Sequence, residues 1–236
     1  MKLSIKAWQP MLDWSAPAGR LLKRLLAALP PEYPFQITVF GSAPLQLAID
    51  RSFLSADVDI FSEDDFSEVI REEHLGKGHR RPYLEQVRAA VFHTAADWRA
   101  RAFTTKLENV TLVFPHPIDL LVAKLQRLAR KDLRAFRMVY RRTGFPRERD
   151  LVRVLQNAVD LYRSPFPGER PAGDMFANTR KVWRELFHKD IDVQKRIIQP
   201  VLAERAAAYG LDLPDWKAHA ARLASRTRSK RRRCSR

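Results

Sequence analysis

Val39-Phe40-Gly41-Ser42, followed by Asp57-Val58-Asp59-Ile60, is the part of this sequence that decides the fold. An apolar run from Phe35 to Phe40 stops at a Gly-Ser pair. A helical segment from Ala43 to about Arg51 comes next, and alternation then returns with carboxylates at i and i+2. Side chains two apart on a strand share a face. Asp57 and Asp59 are therefore expected to project together while Val58 and Ile60 face a core. Two like charges so placed repel unless something cationic sits between them. A divalent ion is the usual remedy, and Mg²⁺ is typically held by one or two carboxylates plus substrate phosphates. The structural alternative is that Arg side chains neutralise the pair.

Gly41 and Ser42 fall at the corner between strand and helix. Glycine permits close backbone approach, and amide groups at such a corner suit a phosphate. Ser42 can cap the helix or contact a phosphate oxygen. An ordinary tight turn with a serine cap would use the same two residues.

Outward from this core, the strand–helix–strand pattern resembles the nucleotidyltransferase superfamily, whose signature is an apolar strand, Gly-Gly or Gly-Ser, a short helix and a carboxylate-apolar-carboxylate strand. The resemblance covers Phe35 to Phe61 well and extends more loosely to about Phe136. There, Pro117 to Leu125 and Lys131 to Phe136 are similar to the helical segments of uncharacterised and toxin-type bacterial members. It implies that Asp57 and Asp59 are catalytic and bind Mg²⁺, with two ions possible, and that Gly41 and Ser42 position an NTP. It also implies a lysine facing the pocket, for which Lys124 is the candidate; the other reading of Lys124 is a cation at a helix edge that keeps its head in water. The family has a third carboxylate on a following strand. The clear β-rich run Val110 to Phe114 carries Thr111 and no acid, so Glu108, just before it, is the candidate. If Glu108 does not reach the metal, the resemblance implies a catalytically degenerate relative that binds nucleic acid or a protein partner.

Composition narrows the classes. The 236 residues are 45% hydrophobic and 10% aromatic, as in a folded protein. No apolar run approaches the ~20 residues that span a bilayer, and Met1-Lys2 is not followed by the apolar stretch of a signal peptide. No membrane and a cytoplasmic location are the expectations. The single cysteine, Cys234, excludes a disulfide framework and a thiolate metal site. A net charge of +16 favours polyanionic partners: nucleic acid, an NTP or an acidic protein. Arg226 to Arg236 adds seven cations and no acid and reads as a basic disordered tail over 225–236.

The remaining elements follow from periodicity. Pro17 to Leu29 is a helix with Leu21, Leu22, Leu25 and Leu26 on one stripe, and Tyr33 to Phe40 a central strand. Ser62 to His74 reads as a helix with Glu63, Asp64 and Asp65 in its first turn. Gly76 to Pro82 is a basic loop. Tyr83 to Phe92 reads as a helix burying Leu84, Val87 and Val91, and Trp98 to Thr104 with Val110 to Phe114 as a hairpin or adjacent strands. His116, between two prolines, has no second histidine at ligand spacing and reads as a loop residue. Ile118 to Leu128, Asp132 to Arg142, Pro146 to Arg163, Met175 to His188 and Asp192 to Tyr209 are helical, with Leu211 to Ala224 a further candidate. Asp119 and Asp132 read as structural. Ser164 to Gly173 has the composition of a linker. The expected architecture is α+β: a small mixed sheet flanked by helices over 1–116, a helical extension over 117–163 and a C-terminal helical region over 174–224. The expected function is metal-dependent transfer of a nucleoside monophosphate from NTP to an RNA or protein acceptor. A toxin–antitoxin or phage-defence role with a cognate protein partner follows by family analogy alone.

Overall fold

The computed structural model describes residues 4–5, 8–53, 56–78, 82–87, 92–162 and 174–209. The expected linker Ser164 to Gly173, the helix over 211–224 and the tail over 225–236 lie outside these residues, as do His79 to Arg81 of the basic loop. The fold is a five-stranded mixed sheet flanked by helices, as expected from the sequence. Strand β1 (Phe35–Val39) is central, in the order β3-β2-β1-β5-β4. β1 is antiparallel to β2 (Asp57–Phe61) and parallel to β5 (Val110–Phe114). β3 (Tyr83–Gln86) adds parallel to β2, and β4 (Phe103–Leu107) forms an antiparallel hairpin with β5. Pairing on both sides explains why β1 is apolar, with Ile37 and Val39 fully buried.

Helix α1 (Pro17–Ala28) buries the leucine stripe read from its spacing. Helix α2 (Ala43–Ala48) follows the Gly-Ser corner and is tied down by Gln46. Its Oε1 accepts from the Ala18 amide at 2.9 Å, and its Nε2 donates to the Phe53 carbonyl at 2.8 Å. One buried side chain thus couples α1, α2 and the approach to β2.

Two expected helices between β2 and β4 change. The segment from Ser62 becomes helical only at α3 (Ser67–Glu72). Ser62 Oγ donates to the Gln36 carbonyl at 2.8 Å, which keeps this stretch pinned to β1, and Asp65 accepts from the Ser67 amide instead of lying in the first turn. Tyr83 to Gln86 is the edge strand β3, not the start of a helix: Leu84 packs beside Val58, and a ladder to β2 satisfies its backbone.

Helix α4 (Pro117–Ala123) is buried almost all round and ends before the expected Leu128. His116 sits at its N-cap, where Nδ1 accepts from the Ile118 amide at 3.1 Å. Burial pushes this imidazole down to about 3, so it serves as a neutral cap. The helices α5 (Arg130–Thr143), α6 (Glu148–Asn157), α7 (Met175–Phe187) and α8 (Gln199–Ala208) follow, with one wide π turn at Gln194–Ile198 before Pro200. A single cluster of buried side chains runs from Trp8 to Ile198. Among the described residues no helix is long and apolar enough to cross a membrane.

Candidate metal and phosphate site

The β1–β2 ladder builds the site. The Phe40 amide donates to the Asp59 carbonyl at 2.8 Å, so the pairing continues to the corner and lays Asp59 alongside Gly41. Val58 and Ile60 are fully buried and Asp57 and Asp59 partly exposed on the other face, as the alternation requires. Gly41 has φ +69, and a methyl group there would collide with Asp59 Oδ2. Glycine suits this position both by its backbone conformation and by the close approach of the Asp59 carboxylate, which any side chain here would displace. Gly41→Ala should therefore push the Asp59 carboxylate out of place: Mg²⁺ affinity measured by calorimetry is expected to fall at least about tenfold, with roughly 1–3 kcal/mol lost from folding stability. Unchanged affinity would contradict this role.

β3 supplies a third acid that the sequence reading missed. Glu85 is the register partner of Asp59 and points to the same face. One oxygen from each of Asp57, Asp59 and Glu85 can be chosen so that all lie within 4.8 Å of one another. Glu108, the candidate third carboxylate, is elsewhere. It occupies the β4–β5 turn at φ 53. β5 runs parallel to β1 with Val110 opposite Phe35, so Glu108 lies at the end of the sheet where β1 begins. The corner at which β1 ends is roughly 16 Å away at strand rise.

Electrostatics set Asp59 apart. Its carboxyl is pushed up to about 6, first by burial and then by the charges of Asp57 and Glu85; Lys124 and Lys131 oppose the shift. Among the described residues Asp59 makes no salt bridge. Three hard oxygen donors that converge in this way could hold a metal ion.

Lys124, at the end of α4, closes the other side. Its Nζ lies 3.5 Å from Ser42 Oγ and 3.4 Å from Asp132 Oδ1, with its side chain 11% exposed. Burial lowers its pKa, and the Asp132 charge counteracts that. Lys124 is therefore turned toward the corner and does not trail into solvent. Ser42 stands at the N-cap of α2 without capping it through its side chain, which leaves Oγ directed to Lys124. Asp132 is structural, as expected: it accepts from the Ala129 amide at 2.9 Å and holds Arg127 and Lys124. Asp119 is structural too, bound by Arg101 at 3.0 and 2.8 Å. A cleft of about 390 Å³ opens beside the acids, with Gly41, Asp59 and Lys124 in its wall.

Comparison with known proteins finds no matching family model, no matching curated protein and no matching solved structure. The functional reading therefore stands on the geometry of this site.

Proposed function

We propose that the chain is a metal-dependent nucleotidyltransferase that moves a nucleoside monophosphate from an NTP to an RNA or protein acceptor. The observation that carries this reading is the convergence of Asp57, Asp59 and Glu85 beside a glycine corner that faces a buried lysine. The three carboxylates would hold Mg²⁺, which when bound neutralises and orients phosphate oxygens. Gly41 leaves the corner without a side chain in the way of a phosphate chain. Ser42 Oγ offers a hydrogen bond there, and the Lys124 ammonium balances negative charge held in a poorly hydrated wall. The acceptor is proposed from the basic composition, since a polyanion such as RNA suits a chain of net charge +16. The alternative is a catalytically degenerate protein that binds nucleic acid or a partner; Glu85, a third acid beside Asp57 and Asp59, favours the enzymatic reading.

The test is incubation of the purified chain with labelled NTPs, Mg²⁺ and mixed RNA and protein acceptors. Labelled product should form, and should vanish with a chelator and in Asp57→Ala and Asp59→Ala. Intact transfer in both variants would exclude the mechanism. The third acid is tested separately. Glu85→Gln should weaken Mg²⁺ binding by about tenfold or more, whereas Glu108→Gln should leave it unchanged. The reverse pattern would restore Glu108.

A further inference from the structure

The cleft beside the carboxylates has two chemically different kinds of lining. Asp59, Lys124 and Arg127 are charged, while Phe40, Val87, Phe92, Leu120 and Ala123 are apolar. A metal-bound triphosphate by itself would engage only the charged groups. An apolar wall left open beside it gains from cover by a flat, weakly hydrated body. The cleft's volume, about 390 Å³, falls in the range of small-molecule sites.

The aromatic side chains beside the cleft hold one another in place. Phe92, partly exposed, stacks on buried Phe40 with ring centroids 4.4 Å apart and an interplanar angle of 25°. Trp98 meets Phe92 edge-on at 5.3 Å and 84°. A ring fixed from two sides loses little conformational freedom when a ligand packs against it. Gln126 also lines the cleft, and among the described residues its side-chain amide makes no hydrogen bond. It can both donate and accept, as the edge of a base requires.

We infer that the apolar lining of this cleft seats the nucleobase of the NTP, with the base packed against Phe92 and its polar edge met by Gln126. This rests on the nucleotidyltransferase reading and adds to it the part of the chain that distinguishes a nucleotide from a bare polyphosphate. Stacking tolerates any base, because every base has a π face. Selectivity among bases then falls to Gln126.

The full chain is titrated in Mg²⁺ with ATP, GTP, CTP and UTP, and with inorganic tripolyphosphate as the probe that lacks a nucleoside. Wild type is expected to bind its best NTP at least about tenfold more tightly than tripolyphosphate. Phe92→Leu keeps an apolar side chain at this partly exposed position but removes the π face. Ala123→Leu adds bulk to the apolar lining from α4. Each should lose about tenfold on NTPs and under about twofold on tripolyphosphate, which has no base to pack against the apolar lining. Gln126→Leu should level the affinities of the four NTPs. Equal wild-type affinity for NTPs and tripolyphosphate, or equal losses on both in the variants, would overturn the base pocket and leave the metal and phosphate reading standing. If Phe92→Leu weakens a short RNA oligomer and spares NTPs, the occupant is an acceptor base and the assignment is likewise overturned. Failure of wild type to bind either probe in Mg²⁺ would overturn the underlying reading and the pocket with it.

Discussion

Asp59→Asn is expected to abolish Mg²⁺-dependent nucleotide transfer, by roughly 10²–10³-fold or more, while making the metal-free protein more stable. Both effects come from one cause. The ordinary value for this carboxyl is 3.8, and in the folded chain burial, Asp57 and Glu85 push it up to about 6. An acid whose folded pKa is raised binds its proton more tightly in the native state than in the unfolded one. Well below the unfolded value of 3.8 both states are protonated and no stability is lost. As pH climbs from there to about 6, the unfolded chain ionises first and the native state loses ground; above 6 the loss is complete. Because Asp59 is only partly buried, the loss is on the order of 1 kcal/mol after solvent screening. The melting temperature of Asp59→Asn should therefore exceed that of wild type by a margin that opens between pH 4 and 6 and is level above. Mg²⁺ should raise the wild-type melting temperature at pH 7.5 by preferential binding to the native state, and do so less at pH 5, where protons compete for the site. Thermal melts across pH with Mg²⁺ or chelator check this. A margin that ignores pH, or a wild type indifferent to Mg²⁺, would mean that the charge on Asp59 is already compensated.

Much of this site can be read from a short stretch of chain because it is governed by local rules. Period two puts Asp57 and Asp59 on one face and Val58 and Ile60 on the other. The uniform apolarity of Phe35 to Val39 signals a strand paired on both sides, and β1 is central. The Glu108-Asn109 turn joins the hairpin that the two flanking runs suggest. Glu85 is hidden for the opposite reason. β3 has four residues, too few to show a period. Leu84, Val87 and Val91 fit helical spacing equally well. What makes Tyr83–Gln86 a strand is parallel pairing with β2 across a long connection, a tertiary effect with no local mark. Glu108 lies next to the strongest strand, but adjacency in sequence says nothing about which end of the sheet that strand starts from. Helix α4 shows the same limit: Lys124 and the leucines suggest one wet face, yet packing from both sides buries the helix and carries Lys124 to the corner.

Arg101→Ala should be the most damaging single substitution away from the site, costing about 3–5 kcal/mol. Arg101 lies just before β4 with its side chain only 8% exposed, and it binds two acids at once: Asp119 on α4 through Nε at 3.0 Å and Nη2 at 2.8 Å, and Asp97 through Nη1 at 2.6 Å. The Asp119 side chain is fully buried. Its carboxyl is raised overall, chiefly by burial, and the Arg101 bonds hold that rise in check. Removing Arg101 strands a buried carboxylate on the helix that carries Lys124. Asp119→Asn should be milder: Arg101 keeps Asp97, and the amide can still accept from it. The pair is not thereby shown to be a net gain, because ion pairs taken out of water repay desolvation only in part. Replacing both partners by apolar residues, Arg101→Met with Asp119→Leu, should accordingly cost less than Arg101→Ala alone. Urea denaturation of the three variants decides it. A double variant at least as unstable as Arg101→Ala would mean that the network contributes through the hydrogen bonds of Thr94 and Asn157 to its acids, and not chiefly through the charge it keeps compensated.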